Sequence, residues 1–316
     1  MTTVIDRGDL VLRAGPPGGK PIVEDILSLE DNEDPMQKEI GIIQDSSHDD
    51  KNQPRVIATV PLQCGVLVPS ILCQHYFEVA GAASVCLTQI PFLAAIGSGA
   101  SSAIVCDFGH CSTRITPVQD GYVHHSSSVT SSEISGVYQN KLLDSTDVTR
   151  AKDIHMIKAN NAFVPDADYV TNNSTSSYTL PDGNQVELSN YQKASLGEYP
   201  FSPNDFLSLR NVLNAAQLVK LAIFSVPEEV HYPQVCNNVL LCGGMSAMKG
   251  FYERMNTEFC GTANRNPVKI HCVDDPHLLA WKGGSLLSQL TAVSNISVSR
   301  AEYMEHGPNL VHKRCL

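Results

Sequence analysis

The stretch "VIDRGDLVLRAG", Val4 to Gly15, decides how the rest of the chain is read. A β-branched apolar run reaches Asp6, passes Arg7 to Gly8 and, after Asp9, gives way to a second apolar run. That is the pattern of two strands joined by a tight glycine turn. The figure returns in "SAIVCDFGHCSTRITPVQDGY", Ser102 to Tyr122, where Asp107 and Gly109 take the places of Asp6 and Gly8. One hairpin used twice points to an internal duplication. A third strand, in "NNVLLCGGMSAMKG" (Asn237 to Gly250), runs into Gly243-Gly244 and then into "GFYERMNTEF", where Phe251, Met255 and Phe259 form the i, i+4, i+8 stripe of an amphipathic helix. A strand feeding a glycine turn and a helix is an α/β crossover, so the fold class is α/β.

Working outward, Leu27 to Asn52, "LSLEDNEDPMQKEIGIIQDSSHDDKN", is rich in acids and amides and has little periodicity. The serine-rich "HHSSSVTSSE" at 124–133 reads as a loop. Both are expected on the surface, with "HDDK" a solvated face. Pro181-Asp182-Gly183 lies between two alternating runs, Ser177 to Leu180 and Gln185 to Leu188, which is a β-hairpin signature.

Composition narrows the function. With 316 residues, 42% hydrophobic and 17% charged, the chain is globular and long enough for two cores. A net charge of −11, a pI near 5.4 and the lack of a Lys/Arg run argue against direct nucleic-acid binding. "MTTVIDRGDL" lacks the character of a secretory leader, and no apolar run approaches the ~20 residues of a membrane span. An intracellular protein without membrane contact is expected. The ten cysteines are scattered with no CxxC pair, so reduced thiols are expected, with Cys86, Cys106 and Cys242 in the core and no metal site. The sequons at Asn172, Asn173 and Asn295 then carry no weight.

Longer segments carry a resemblance. "ISVSRAEYMEHGPNLVHKRCL" (Ile296 to Leu316), "WKGGSLLSQL" (Trp281 to Leu290), "NNVLLCGGMSAMKGFYERMNTEF" (Asn237 to Phe259), "SYTLPDGNQVEL" and "AAIGSGASSAIVCDFGHCSTRITPVQDGY" (Ala94 to Tyr122) resemble successive segments of actin and actin-related proteins, in order and over most of the chain. The resemblance implies an actin-like two-lobed α/β fold, with a five-stranded sheet in each lobe and ATP with a divalent cation (ATP/ADP with Mg2+) between them. It divides the chain into a first lobe, 1–97 plus 279–316, and a second, 98–278. Between "KPIVEDIL" and "PRVIATVPL" the family's outer subdomain, with the loop that engages the next filament subunit, is compressed into 28–54. A further loss is expected after the serine-rich loop, where the family has a glycine-arginine helix start.

The resemblance implies a nucleotide site of altered chemistry. Asp6 and Gly8 match the family, and Arg13 replaces its lysine. Asp9 falls where a serine donates to phosphate, and Leu10 where the family has glycine. A carboxylate ~4 Å from a phosphate oxygen costs roughly 4 kcal/mol at an effective dielectric of about 20. Asp107 and Gly109 match too, but Phe108 replaces a serine, His110 the aspartate used around the metal ion, and Cys111 a glycine. The water-positioning glutamine falls at Ile90, beside Gln89. His155 and Met156 occupy the places of a Lys-Glu pair on the base side, while Gly243, Gly244 and Met245 fit the adenine-side turn. Asp6, Gly8, Arg13, Asp107, Gly109, Gly243, Gly244 and Met245 thus read as a vestigial nucleotide site, without catalytic residues or metal ligands. Arg7 and Arg114 could supply compensating charge, or Asp9 and Arg114 could pair.

By the same alignment Ile96, Leu287, Leu290 and Ile296 line a groove that accepts a helix or a neighbouring subunit. An apolar groove kept while the outer subdomain is lost suits a subunit that does not polymerise. The expectation is a structural subunit of a larger protein complex, in a motor-associated or axonemal cytoskeletal assembly of the cytoplasm. The alternatives are a nuclear chromatin-remodelling complex and an ATPase switch.

Overall fold

The computed structural model describes residues 1–27, 34–45, 53–62, 64–65, 67–143, 148–166, 174–226, 235–259 and 268–315. The sequons at Asn172 and Asn173, "HDDK" and most of the compressed segment (28–33 and 46–52) lie outside the described residues. The chain forms two compact units, one of Met1–Ser101 with Leu278–Leu316 and the other of Ser102–His277.

The first unit is built on a sheet in the order Val298–Ser299, Ser84–Gln89, Arg55–Val60, Thr2–Arg7, Val11–Gly15, Val23–Ile26. Thr2–Arg7 runs antiparallel to Val11–Gly15 and parallel to Arg55–Val60. Parallel neighbours need a crossover. Helix Leu67–Glu78 supplies the one between Arg55–Val60 and Ser84–Gln89, burying Leu72, Cys73, Tyr76 and Phe77.

Helix Ile90–Gly97 packs on helix Leu279–Leu287 at a distance that only glycine permits. A Cβ on Gly97 would lie 2.4 Å from the Leu279 carbonyl oxygen, and one on Gly283 would lie 1.9 Å from that of Leu93. The Gly-Gly of "WKGGSLL" is therefore a helix-packing feature, set beside the fully buried Trp281.

The second unit repeats the plan. Its sheet runs Ile270–His271, Val239–Cys242, Ala103–Phe108, Thr113–Gln119, Tyr122–Val123, with Val129–Ser131 also on Thr113–Gln119. Ala103–Phe108 is antiparallel to Thr113–Gln119 and parallel to Val239–Cys242, the relations of Thr2–Arg7 to its own neighbours. The duplicated hairpin is thus the centre of a duplicated sheet. Phe251, Met255 and Phe259 face the core of this unit, as their spacing requires. A smaller cluster around Leu143, Ile157, Leu188 and Leu196 sits under the hairpin Thr175–Thr179/Gln185–Ser189, whose turn holds Gly183 at φ +88°.

Four expectations need correction. Each sheet carries one strand more than five: Val298–Ser299 extends the first, and in the second the third strand is split by the turn His125–Ser127 into Tyr122–Val123 and Val129–Ser131. The serine-rich stretch accordingly contains a strand, and Ser127 and Ser131 are buried. Where a helix start was expected to be missing, the short helix Gly136–Asn140 begins, with the Ser135 hydroxyl accepting from the Tyr138 N–H.

The fourth concerns the compressed segment, which holds helix Pro35–Asp45. Ile40 and Ile43 enter the core of the first unit, and Glu39 is 0% exposed. Burying each isoleucine is worth roughly 2 kcal/mol, enough to anchor a short acidic helix.

Candidate functional site

Both hairpins make the same turn. The Gly8 N–H donates to the Val11 carbonyl at 3.0 Å, and the Gly109 N–H to that of Ser112 at 3.1 Å. A Cβ at either glycine would stand 2.9 Å from the same acceptor. Gly8 and Gly109 are therefore demanded by the turn itself, with or without a ligand. Asp6 sits opposite Arg13, and Asp107 opposite Arg114.

In the first hairpin the positive charge is internally consumed. Arg13 lies across from Asp6 on one neighbouring strand and Glu24 on the other. Its guanidinium meets both carboxylates, with Nη1 3.6 Å from Asp6 Oδ2 and Nε 2.8 Å from Glu24 Oε1. Arg7 is held by helix Pro35–Asp45, with Nε 3.3 Å from Glu39 Oε1, while the Tyr76 hydroxyl donates to Glu39 Oε2 at 2.7 Å. The Arg7 N–H donates to Thr59 Oγ1 at 2.7 Å, and the Thr59 hydroxyl reaches Asp6 Oδ1 at 3.5 Å.

Burial pushes the Asp6 carboxyl above its ordinary range against the pull of Arg13 and Thr59. The same effect raises Glu39 against Arg7 and Tyr76. Two guanidiniums thus face three carboxyls. Asp9 adds an exposed fourth at the turn, and Leu10 turns into the core at 8% exposure.

The second hairpin carries different chemistry. Phe108 is 0% exposed and meets the Phe251 ring edge-on at 5.0 Å, so it serves the core. The backbone of His110 accepts from the Val137 N–H at 2.9 Å. A Cβ on Gly136 would lie 2.9 Å from His110 Nδ1 and 3.3 Å from Lys158 Nζ, so an imidazole and an amine share this apex. Lys158 Nζ donates to the Gly136 carbonyl at 2.9 Å and to Asn140 Oδ1 at 2.6 Å, and burial brings its pKa down to about 8. Arg114 Nε is buried without a hydrogen-bond acceptor.

On the base side, Gly243 has a φ of +87°, and a Cβ there would stand 2.4 Å from the Phe108 carbonyl oxygen. The approach of the strand Val239–Cys242 to the hairpin requires it. Gly244 has open space around it, and Met245 is 5% exposed within the core. His155 and Met156 lie half-buried on helix Ala151–Asn161, and Ile90 begins helix Ile90–Gly97 after Gln89. Among the described residues no group of three or more His, Cys, Asp or Glu could hold a metal ion.

The apolar groove differs from expectation. Leu287 is 3% exposed, because the buried stripe of its helix, Leu279, Ala280, Gly283, Gly284 and Leu287, turns to the core. Ile96 and Ile296 are half-buried. Exposed apolar surface here comes from Leu290 and its neighbour Leu286, at 50% and 45%. Sequence reasoning missed Glu24, Glu39 and Lys158, which lie outside the hairpin motifs and reach them through tertiary contacts.

A duplicated α/β unit with an Asp-x-Gly hairpin at the centre of each sheet defines the class of two-domain proteins to which the sequence resemblance pointed. The Actin family model matches residues 42–161 and 145–316, and the chain belongs to the actin family. It is 29% identical over 283 residues to Actin-related protein 7 of Arabidopsis thaliana, covering 84% of this chain and 76% of that protein. Actin-like protein 7A of Homo sapiens is 25% identical over 230 residues, 69% of this chain and 52% of that protein. Putative actin-29 of Dictyostelium discoideum is 26% identical over 270 residues, 77% and 67% respectively. No helix among the described residues is long and apolar enough to cross a membrane.

Proposed function

We propose that this actin-family chain is a non-polymerising, structural actin-related subunit of a larger protein assembly, and that it neither holds nor hydrolyses ATP. One observation carries the reading: the guanidiniums of the first hairpin are spent on Asp6, Glu24 and Glu39, while Asp9 stands exposed at the turn. A triphosphate brought there meets net negative charge. The second hairpin offers His110 and Lys158 where a hard divalent ion takes oxygen ligands. The residues present do not fit a magnesium nucleotide, and three of the four site glycines, Gly8, Gly109 and Gly243, have structural reasons to be there. We place the subunit in a cytoskeletal assembly of the cytoplasm, motor-associated or axonemal. A nuclear remodelling complex is the alternative, and the acidic composition favours neither direct nucleic-acid contact nor a membrane role.

The test is to purify the chain without added nucleotide, extract it with acid and assay the extract for adenine nucleotide and magnesium. Neither is expected above trace amounts. A nucleotide recovered in one-to-one ratio would overturn the proposal and establish a nucleotide switch.

A further inference from the structure

The sheet of the first unit carries a polar row at the end of Thr2–Arg7 away from the Gly8 turn. Thr2 pairs with Arg55, Arg55 with Ser84, and Ser84 with Ser299, so the four side chains stand on one face across four strands. They line a cavity of about 120 Å³, whose opposite wall comes from residues between 288 and 297. Ile57 and Val293 supply its apolar surface.

The two walls differ in hydrogen-bonding character. On the sheet side Arg55 is exposed and makes no ion pair among the described residues, and the hydroxyls of Thr2 and Ser84 meet no hydrogen-bond partner among them. All three can donate. On the other side the serine protons are already used. The Ser288 hydroxyl donates to the Ser285 carbonyl at 2.7 Å, that of Ser294 to Thr291 at 2.9 Å, and that of Ser297 to Val293 at 2.6 Å. Their oxygens keep lone pairs, so this wall accepts.

We propose that this cavity binds the C-terminal carboxylate of a partner chain that ends in a small apolar residue. A carboxylate presents two oxygens, which one guanidinium grips in bidentate fashion, with the Thr2 and Ser84 hydroxyls on either side of it. A terminal alanine sets its methyl group against Ile57 and Val293, and its N–H faces the serine oxygens that accept. A phosphate fits less well, because its second charge has no second cation in the lining and its third oxygen meets those same acceptors. The volume equals that of about four waters of liquid, which suits one small residue and leaves no room for a large side chain. The cavity lies apart from the glycine turns of both hairpins, so the proposal stands whether or not the chain holds ATP.

The test adds the peptide acetyl-Gly-Gly-Ala to the full chain and follows saturation transfer from protein to peptide by NMR. Binding with a Kd on the order of a millimolar is expected. The C-terminal amide of the same peptide should bind about tenfold more weakly, since the charge-assisted bonds to Arg55 are gone. Arg55→Gln should erase the difference between acid and amide with the melting temperature unchanged, because the side chain is exposed. Val293→Phe fills the cavity and should abolish binding of both. No binding of the acid, equal binding of acid and amide, or a preference for the acid that survives Arg55→Gln would each overturn the proposal. Propionate bound as tightly as the peptide would overturn the assignment to a chain terminus and make this a site for a free short-chain acid. Arg55→Gln decides alone if Val293→Phe fails to fold.

Discussion

Arg13 has a structural role in the first hairpin. On the middle strand of a three-strand meander its guanidinium lies between Asp6 and Glu24, and both partners hold it in place. Asp9 stands exposed at the turn with no ion pair among the described residues, and being exposed it repels phosphate by less than the buried limit. Asp9→Ser is expected to raise ATP affinity about tenfold, equivalent to about 1.4 kcal/mol, as read by calorimetric titration. An unchanged affinity would shift the obstacle to the Arg13 ladder, where Glu24→Gln is the matching change.

Lys158 gives a pH prediction at the same scale. Its pKa falls from 10.5 to about 8 on folding, so the folded chain binds fewer protons between those values and stability rises with pH across that window. Lys158→Met should flatten the rise, a difference of roughly 2 kcal/mol between urea titrations run at either end of the window. Equal slopes for the two proteins would mean that the amine is solvated.

At the scale of elements, the hairpins were legible because their demand is local: a glycine N–H must reach a carbonyl three residues on. The stripe of Phe251, Met255 and Phe259 was legible for the same reason. Helix Pro35–Asp45 was not, because its apolar positions are diluted by acids, and one of those acids, Glu39, is buried by Arg7 and Tyr76 from elements elsewhere in the chain. No local pattern announces a carboxylate that is core. The split third strand was hidden likewise, since Val129–Ser131 earns its place by pairing with Thr113–Gln119 rather than by its own serine-rich composition.

The glycines of "WKGGSLL" were read as part of a resemblance, whereas their physical role is the approach of two helices. Gly283→Ala sets a methyl group against the Leu93 carbonyl and is expected to cost about 3 kcal/mol. Gly244→Ala meets open space and should cost under about 1 kcal/mol. Thermal melts of the two variants side by side test the contrast, and equal losses would refute the packing account.

At the scale of the whole molecule, two units of one plan keep their cores, while in the first hairpin Arg7 and Arg13 face Asp6, Glu24 and Glu39. Under the proposed function such a chain runs no chemical cycle and acts through contacts. The first unit offers one place to measure this. Leu290 and Leu287 belong to the same turn of chain, yet one is 50% exposed and the other 3%. Leu290→Asp should leave the melting temperature within a degree or so of the parent, because an exposed side chain contributes little to the fold. It should also lower recovery of the complex in native purification from the source cell, with subunits counted by mass spectrometry. Leu287→Ala should do the reverse, destabilising the unit by about 3 kcal/mol through the cavity it leaves. If Leu290→Asp leaves every partner in unchanged ratio, the surface at the end of helix Leu279–Leu287 is not the one through which the proposed subunit joins an assembly.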